Sequence, residues 1–258
     1  NMPWSRQGRH PNQGPWRHRR VLEPGARASA PAGPERWPTQ MPFGGQVLPR
    51  DLSLFPDGTL RMTPVPELAT LRLPSQHYHH PPAATAQQAA TAQQASVACV
   101  GPVNGTQLEV KFTIRGPPTL RSAATASGAV WASVTVLASP DGRERTLIGA
   151  NATHLIVDQL NSTLLPDLTP EQISKERNPD GWYKWFVANR TVLHAPLPEG
   201  GSHTIHAFLD GYNLEVFADE RVAITTNLFP TLNQSVCVGV AAGGGGGAIS
   251  SLDIYGLS

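Results

Sequence analysis

Residues 203–230 read HTIHAFLDGYNLEVFADERVAITTNLFP, and this stretch decides the fold. β-Branched, apolar and aromatic residues over 204–209 predict a strand that ends in a cluster of turn formers, residues 210–213. Residues 214–218 alternate apolar and polar side chains, as a half-buried strand does. After a short polar turn, residues 222–229 predict a third strand. The stretch is therefore predicted to be an antiparallel meander.

Strand patterns continue on both sides of this meander at short spacing. Upstream, a turn at residues 56–58 (Pro-Asp-Gly) predicts a hairpin between residues 46–54 and 59–62. Further strands are predicted at residues 107–114, 130–138, 145–149, 153–157, 235–241 and 248–257. Five glycines at 243–247 predict a flexible turn. Because helical spacing is almost absent, the fold class is predicted to be all-β, a two-sheet antiparallel β-sandwich.

The sandwich is predicted to span residues 46–258, after a disordered Arg/Pro-rich leader at 1–45. Residues 1–50 carry eight Arg against two Glu, whereas the rest of the chain is mildly acidic. The Arg residues of the leader show no periodic pattern, which disfavours nucleic-acid binding. A low-complexity insertion is predicted at 74–96, where Ala-Thr-Ala-Gln-Gln-Ala occurs twice.

The sequence predicts neither a membrane span nor a metal or cofactor site. No run of eighteen apolar residues occurs, so we expect no transmembrane segment. His77, His79 and His80 lie at the start of the predicted insertion. A metal site needs further ligands on a rigid element. A solvated His-rich loop is therefore the expected interpretation.

Glycosylation signals and cysteines bear on the compartment. Asn-x-Ser/Thr sequons begin at Asn104, Asn151, Asn161, Asn189 and Asn233. They predict glycans on surface loops and a secretory-pathway protein that is extracellular, in the cell wall or vacuolar, unless the sequons are accidental in a Thr-rich chain. Cys99 and Cys237 both lie in apolar runs, which suits either two buried thiols or one disulfide.

Several motifs, taken in order, resemble the C-terminal part of glycoside hydrolase family 32, the family of invertases and other β-fructofuranosidases, inulinases, levanases and fructosyltransferases. The motifs are LPRDL at 48–52, DGTL at 57–60, PVPEL at 64–68, DGRERT at 141–146, LIVDQLNS at 155–162, HAFLD at 206–210 and LEVF at 214–217. Gln159 stands where the family usually has Arg. Each motif is weak alone, and their order and spacing give the resemblance.

The resemblance implies a retaining mechanism that uses two carboxylates about 5 Å apart. In the family these carboxylates come from W-M-N-D-P-N-G, R-D-P and E-C segments of a five-bladed propeller. None of these segments occurs in this sequence. No catalytic residue is therefore assigned, and the chain resembles the C-terminal β-sandwich of such an enzyme without its propeller.

The resemblance also implies interface or cleft-edge roles for four residues, because the strand pair around residues 206–217 faces the propeller in the family. These candidates are Arg50, Asp210, Glu215 and Phe217. Asp210 is predicted to hydrogen-bond within a turn. Glu215 alternates with its apolar neighbours and is predicted to point away from them.

Two functions follow as hypotheses. The first is a non-catalytic module of a glycosidase acting on sucrose or fructans, which stabilises the propeller and shapes its cleft. The second is an independent lectin-like sandwich that binds glycans without cleaving them. Trp182, Tyr183 and Trp185 are candidate sugar-contact aromatics for the second function, or buried loop anchors. The choice among sucrose, inulin and levan, and between hydrolysis and transfer, depends on residues outside these motifs.

Overall fold

The computed structural model describes residues 47–80, 99–117, 129–165 and 190–258. The predicted leader and residues 81–96 of the predicted insertion lie outside the described residues. The described elements are β1 Arg50–Leu54, β2 Leu60–Pro64, a 3-10 helix Pro66–Leu71, β3 Arg72–His80, β4 Gln107–Arg115, β5 Ala132–Ala138, β6 Thr146–Ala150, β7 His154–Asp158, β8 Val192–Pro196, β9 Ser202–Asp210, β10 Asn213–Ala218, β11 Val222–Asn227, β12 Cys237–Ala242 and β13 Ala248–Leu257. Within these ranges no helix has the length and hydropathy that a membrane crossing requires.

The strands form two larger antiparallel sheets and one hairpin. The six-stranded sheet has the order β11-β10-β9-β4-β13-β3, and the five-stranded sheet has the order β12-β5-β6-β7-β8. Strands β1 and β2 pair only with each other among the described strands. The prediction of an all-β, two-sheet antiparallel sandwich is confirmed.

Alternation along the strands builds the core. In β4, Leu108, Val110, Phe112 and Ile114 are buried, and their register places them beside the inward side chains of β9. Every residue of β5 is buried. The inner faces of the two sheets therefore meet in one hydrophobic cluster.

The predicted meander corresponds to β9, β10 and β11, which pair antiparallel in sequence order. Strand β11 ends at Asn227, two residues before the predicted end. Asp219 and Glu220 form the tight turn before it with positive φ angles of 51° and 58°. The Asp219 carboxylate accepts hydrogen bonds from the Thr204 N–H at 2.8 Å and from His203 Nδ1 at 2.6 Å. These bonds hold a backbone conformation that non-glycine residues adopt uncommonly.

The structure corrects two predictions about irregular segments. Residues 74–80, predicted as the start of a low-complexity insertion, belong to β3, which pairs with β13 at the edge of the six-stranded sheet. No strand is predicted from the sequence between residues 157 and 204, yet this region contains β8, an edge strand of the other sheet. Strand β3 (RLPSQHYHH) carries many polar side chains, so its apolar alternation is weak, whereas β8 (VLHAP) is only five residues long and ends at a proline.

Cys99 and Cys237 form a disulfide, with a Cα–Cα distance of 5.2 Å. This bond decides between the two alternatives that the sequence left open. It joins the segment before β4 to the first residue of β12 across 138 residues of chain. A cross-link over so long a loop restricts the unfolded chain strongly.

The glycine run 243–247 packs closely and is not the flexible turn that was predicted. A Cβ atom on Gly243 would lie far inside the contact distance of the Val130 carbonyl oxygen, and one on Gly245 would meet the indole ring of Trp131 at 2.8 Å. A Cβ atom on Gly247 would likewise meet the Trp131 side chain at 2.5 Å. These glycines are required because the chain passes directly over the buried Trp131.

We expect Gly243→Ala to lower the free energy of unfolding by about 1–3 kcal/mol, because the added methyl group meets backbone that cannot move aside cheaply. Gly244→Ala is the matched control, since its Cβ would meet no atom within 4 Å. The control should change stability by less than about 1 kcal/mol. Urea unfolding of both variants measures the difference. Equal stability of the two variants would contradict this account of the glycine run.

Candidate functional site

The outer face of the six-stranded sheet carries an unusual row of polar and aromatic side chains. Cross-strand register places Glu215 beside Phe208, Phe208 beside Glu109, Glu109 beside Tyr255, and Tyr255 beside His77. Both glutamates are only 1% exposed. A buried carboxylate on an outer sheet face requires partners from another part of the chain.

Glu215 is covered by the segment that leads into β1. Its Oε2 atom accepts a hydrogen bond from Arg50 Nη2 at 2.8 Å, and its Oε1 atom accepts one from the Leu48 N–H at 2.5 Å. The Arg50 guanidinium also lies 4.9 Å from the centroid of the Phe217 ring. Arg50, Glu215 and Phe217, three of the four predicted interface candidates, therefore contact one another, and their predicted role at a propeller interface stays a prediction.

Glu109 is held by hydrogen bonds from the Arg72 and His206 side chains. Arg72 donates from Nε to Oε2 at 2.7 Å and from Nη2 to Oε1 at 2.6 Å, and His206 Nε2 lies 2.7 Å from Oε1. Burial acts to raise the pKa of Glu109, but the hydrogen bonds from Arg72 and His206 outweigh it and lower the pKa to about 2. Because an ionised carboxylate can only accept, His206 carries its proton on Nε2.

The β1–β2 hairpin lies against the same face through polar contacts. Arg61 Nε donates to Glu220 Oε2 at 2.6 Å, the Met62 N–H donates to the Glu220 carbonyl oxygen at 2.7 Å, and Arg221 pairs with Asp57 at 3.1 Å. These bonds attach the hairpin to the turn between β10 and β11. The hairpin is thus positioned by charges and backbone groups.

A cleft of about 480 Å³ lies between β2 and the outer sheet face, and we call it the hairpin cleft. Its lining residues are Met62, Thr63, Pro64, Lys111, Thr204, His206, Phe217, Asp219 and Glu220. This volume falls within the range of small-molecule sites, about 300–1,000 Å³. The cleft therefore has room for a ligand.

Asp210 does not join the Glu215 cluster. It is exposed at the end of β9, where its Oδ1 atom accepts a hydrogen bond from Gln107 Nε2 at 3.4 Å. Glu215 is buried and bound to Arg50. The two carboxylates therefore occupy different environments and share no hydrogen-bond partner among the described residues.

Sequence reasoning missed three polar residues that bind distant parts of the chain: the buried Glu109 and Glu144 and the partly exposed His206. Glu109 follows the same alternation between apolar residues that singled out Glu215, so the signal was present. Glu144, fully buried, accepts hydrogen bonds from the N–H groups of Leu164, Thr231 and Leu232 and from the hydroxyls of Thr231 and Ser235. It lies in the DGRERT motif and connects two loops.

The predicted glycosylation sites differ in exposure. Asn104, Asn161 and Asn233 are exposed. Asn151 is buried, and its Oδ1 atom accepts hydrogen bonds from the N–H groups of Thr153 and His154, so it does not lie on the surface as predicted. Asn189 and the aromatic candidates Trp182, Tyr183 and Trp185 lie outside the described residues.

The histidines at the predicted insertion lie on a strand and not in a loop. His79 Nδ1 is 2.7 Å from Asp253 Oδ1, and His77 Nε2 is 3.3 Å from the same atom. The ring of His77 stacks on Tyr255 with a centroid distance of 4.3 Å. Over the described ranges, no group of three or more His, Cys, Asp or Glu residues is arranged to hold a metal ion.

Comparison with protein families gives one match that covers most of the chain. The model described as "Glycosyl hydrolases family 32 C terminal" matches residues 67–256. The chain belongs to glycosyl hydrolase family 32. Its described sandwich is this family's C-terminal domain, which confirms the resemblance that the motifs indicated. A comparison of the sequence with curated proteins found no match.

Solved family 32 structures share the fold. The exo-inulinase from Aspergillus awamori aligns with a TM-score of 0.55 at 19% identity, over 82% of this chain and 35% of its own. Fructan 1-exohydrolase IIa from Cichorium intybus aligns with a TM-score of 0.56 at 17% identity, over 82% and 40%. Sucrose-6-phosphate hydrolase from Lactobacillus gasseri gives 0.50 at 15% identity, over 81% and 33%. This family 32 chain thus spans about a third to two-fifths of the length of these relatives. At sequence identities below 20%, the structural similarity shows a shared fold.

We expect Glu109→Gln to lower the free energy of unfolding of this family 32 domain by about 3 kcal/mol at neutral pH, because the ionised carboxylate is lost from a buried pair. The folded pKa lies below the ordinary value of 4.5. The stabilisation is therefore complete above that value and is lost as pH falls toward 2. The difference between the variant and the unchanged chain should shrink over the same interval in urea unfolding measured against pH.

Glu220→Gln serves as the control for this measurement. Glu220 and its partner Arg61 are both about half exposed. An exposed pair of this kind contributes less than about 1 kcal/mol. A loss for Glu109→Gln that is as small as the control's, or that does not vary with pH, would contradict the structural role of Glu109.

Proposed function

We propose that this chain is the non-catalytic C-terminal sandwich of a family 32 glycosidase of the β-fructofuranosidase type, acting on sucrose or fructans. Its partner would be a catalytic propeller domain, which the sandwich stabilises and whose cleft it borders. The family match supports this proposal, as do the fold relatives, which are named as hydrolases of sucrose 6-phosphate, inulin and fructan.

The non-catalytic role is supported by the hydrogen bonds and ion pairs that bind the three buried glutamates to other groups of this chain. Glu109 is paired with Arg72 and His206, Glu215 with Arg50, and Glu144 with five neutral donors. A general acid needs a pKa near the working pH, whereas the pKa of Glu109 is about 2. A nucleophile needs a free oxygen facing the substrate. These carboxylates hold the fold together and suit neither role.

The exposed side of the hairpin supports a partner domain. Leu52, Leu54 and Leu60 are 64%, 68% and 46% exposed, and register places Leu54 directly opposite Leu60. Adjacent exposed leucines on a two-stranded hairpin indicate a contact surface. We assign this surface to the propeller, because the hairpin precedes the family 32 C-terminal match and the relatives are much longer than this chain.

We further propose a secretory-pathway location, in the extracellular space, cell wall or vacuole. The Cys99–Cys237 disulfide supports an oxidising compartment. The exposed positions of the sequons at Asn104, Asn161 and Asn233 are compatible with glycans there. Expression in a secreting host followed by mass spectrometry of these three peptides tests the proposal, and unmodified asparagines at all three would contradict it.

Hydrolysis of sucrose, inulin and levan tests the glycosidase assignment. We expect no activity from the chain as it stands and activity from a version extended upstream along its genomic coding sequence. Release of fructose measured by a reducing-sugar assay provides the readout. Activity of the chain alone would overturn the non-catalytic role. Inactivity of both versions would overturn the glycosidase assignment and favour the lectin-like alternative.

We expect the double variant Leu52→Lys, Leu54→Lys to self-associate less than the unchanged chain, because it removes most of the exposed apolar surface of the hairpin. Sedimentation velocity at several concentrations measures this. Leu160→Lys is the matched control, since Leu160 is a similarly exposed leucine in a separate loop. A monomeric unchanged chain, or an equal effect of the control, would contradict the partner-domain surface.

A further inference from the structure

We propose that the hairpin cleft binds a neutral carbohydrate through groups of the sandwich itself. The floor of the cleft comes from β4, β9 and β10, and one wall comes from β2. Its volume of about 480 Å³ suits a mono- or disaccharide within the general range of small-molecule sites. This inference concerns the chain alone and does not depend on the proposed glycosidase.

The polar groups of the cleft remain accessible to a ligand. Lys111 and Thr204 are exposed on adjacent strands, and Thr63 contributes a half-exposed hydroxyl from the opposite wall. Among the described residues, no carboxylate lies within ion-pair distance of the Lys111 ammonium group. Its three N–H donors are therefore available to ligand oxygens.

The neighbouring histidine provides the complementary acceptor. His206 lines the cleft, and its Nε2 proton is directed to the ionised Glu109. In the neutral tautomer that carries its proton on Nε2, the Nδ1 atom is unprotonated and can accept a hydrogen bond. A sugar hydroxyl donates one hydrogen bond and accepts others, so vicinal hydroxyls match a lysine donor next to an imidazole acceptor.

The charge of the cleft favours a neutral ligand over an anion. Asp219 and Glu220 lie in the same lining as Lys111. Asp219 is bound to His203 and Glu220 to Arg61, two partners outside the lining, so neither carboxylate has Lys111 as its partner. A phosphate or sulfate would gain one lysine and would meet two carboxylates. A polyhydroxyl ligand meets no such repulsion.

Backbone amide NMR of the full chain, titrated with sucrose, 1-kestose and maltose, tests the site. We expect at least one of these sugars to cause saturable shifts at Lys111, Thr204 and His206. Lys111→Met should weaken that binding about tenfold, because it removes a charged hydrogen-bond donor. Arg115→Met is the matched control, since it removes an exposed positive charge from the outer face of the same strand outside the cleft lining, and it should leave binding unchanged.

Several outcomes would overturn the proposal. They are the absence of saturable shifts with all three sugars, shifts at residues away from the cleft, an equal effect of Arg115→Met, or tighter binding of inorganic phosphate at the same residues. Thermal unfolding of both variants shows that they are folded. Thr204→Val provides a second test, because it removes a hydroxyl from the cleft and leaves the charge unchanged, and it should also weaken binding. Because the titration measures binding by this chain, its failure is distinguishable from a failure of the activity test.

Discussion

Two Arg–Glu pairs, each with a buried carboxylate and a partly exposed arginine, determine how the N-terminal segment is placed on the sandwich. Arg50 binds Glu215, and Arg72 binds Glu109, on the outer face of the same sheet. A buried ion pair stabilises a fold little more than well-packed apolar residues of the same volume would, because both charges lose their water. It does, however, penalise every arrangement that leaves one charge buried without the other. The pairs therefore act chiefly on position. They place residues 47–73 along one face of the sheet, where an apolar contact would tolerate several alternative registers.

This placement explains why the β1–β2 hairpin contacts the sandwich through polar groups and exposes its leucines on the other side. Its contacts with the sandwich are ion pairs, a backbone hydrogen bond and the packing of Arg221 over the Phe55 ring. Its leucines face outward. A hairpin of two short strands has too little buried apolar area to be stable alone. The polar contacts with the turn at Asp219 and Glu220 hold it in place and leave the apolar side for another surface, and the same arrangement creates the hairpin cleft beneath it.

The parts of the fold that sequence reasoning predicted are those in which the signal is local. Strand β13 has the predicted bounds, and β4, β9 and β10 agree within a few residues, because one of their faces enters the core and alternation is strong. Strand β3 was missed because it carries many polar side chains, and β8 because it is short and ends at a proline. The glycine run was misread for a different reason. Its close packing depends on Trp131, which is more than a hundred residues away, so composition alone suggested flexibility. Arg50, Glu215 and Phe217 were grouped through the family resemblance, whereas Glu109 and Arg72 were not, although Glu109 has the same apolar neighbours as Glu215.

The contrast among the buried glutamates shows why residue type alone does not predict a site. Glu144 is satisfied by neutral donors from two loops, and Glu109 and Glu215 by arginines that lie 37 and 165 positions away in the sequence. All three would look alike to a search for catalytic carboxylates. Once long-range partners are assigned, these acids are occupied by the fold. Among the described residues, the Lys111 ammonium group has no hydrogen-bond or ion-pair partner, and the His206 ring has one, Glu109. Both side chains line the hairpin cleft. The proposed ligand site therefore lies where the N-terminal segment crosses the sheet, beside the two Arg–Glu pairs that place this segment.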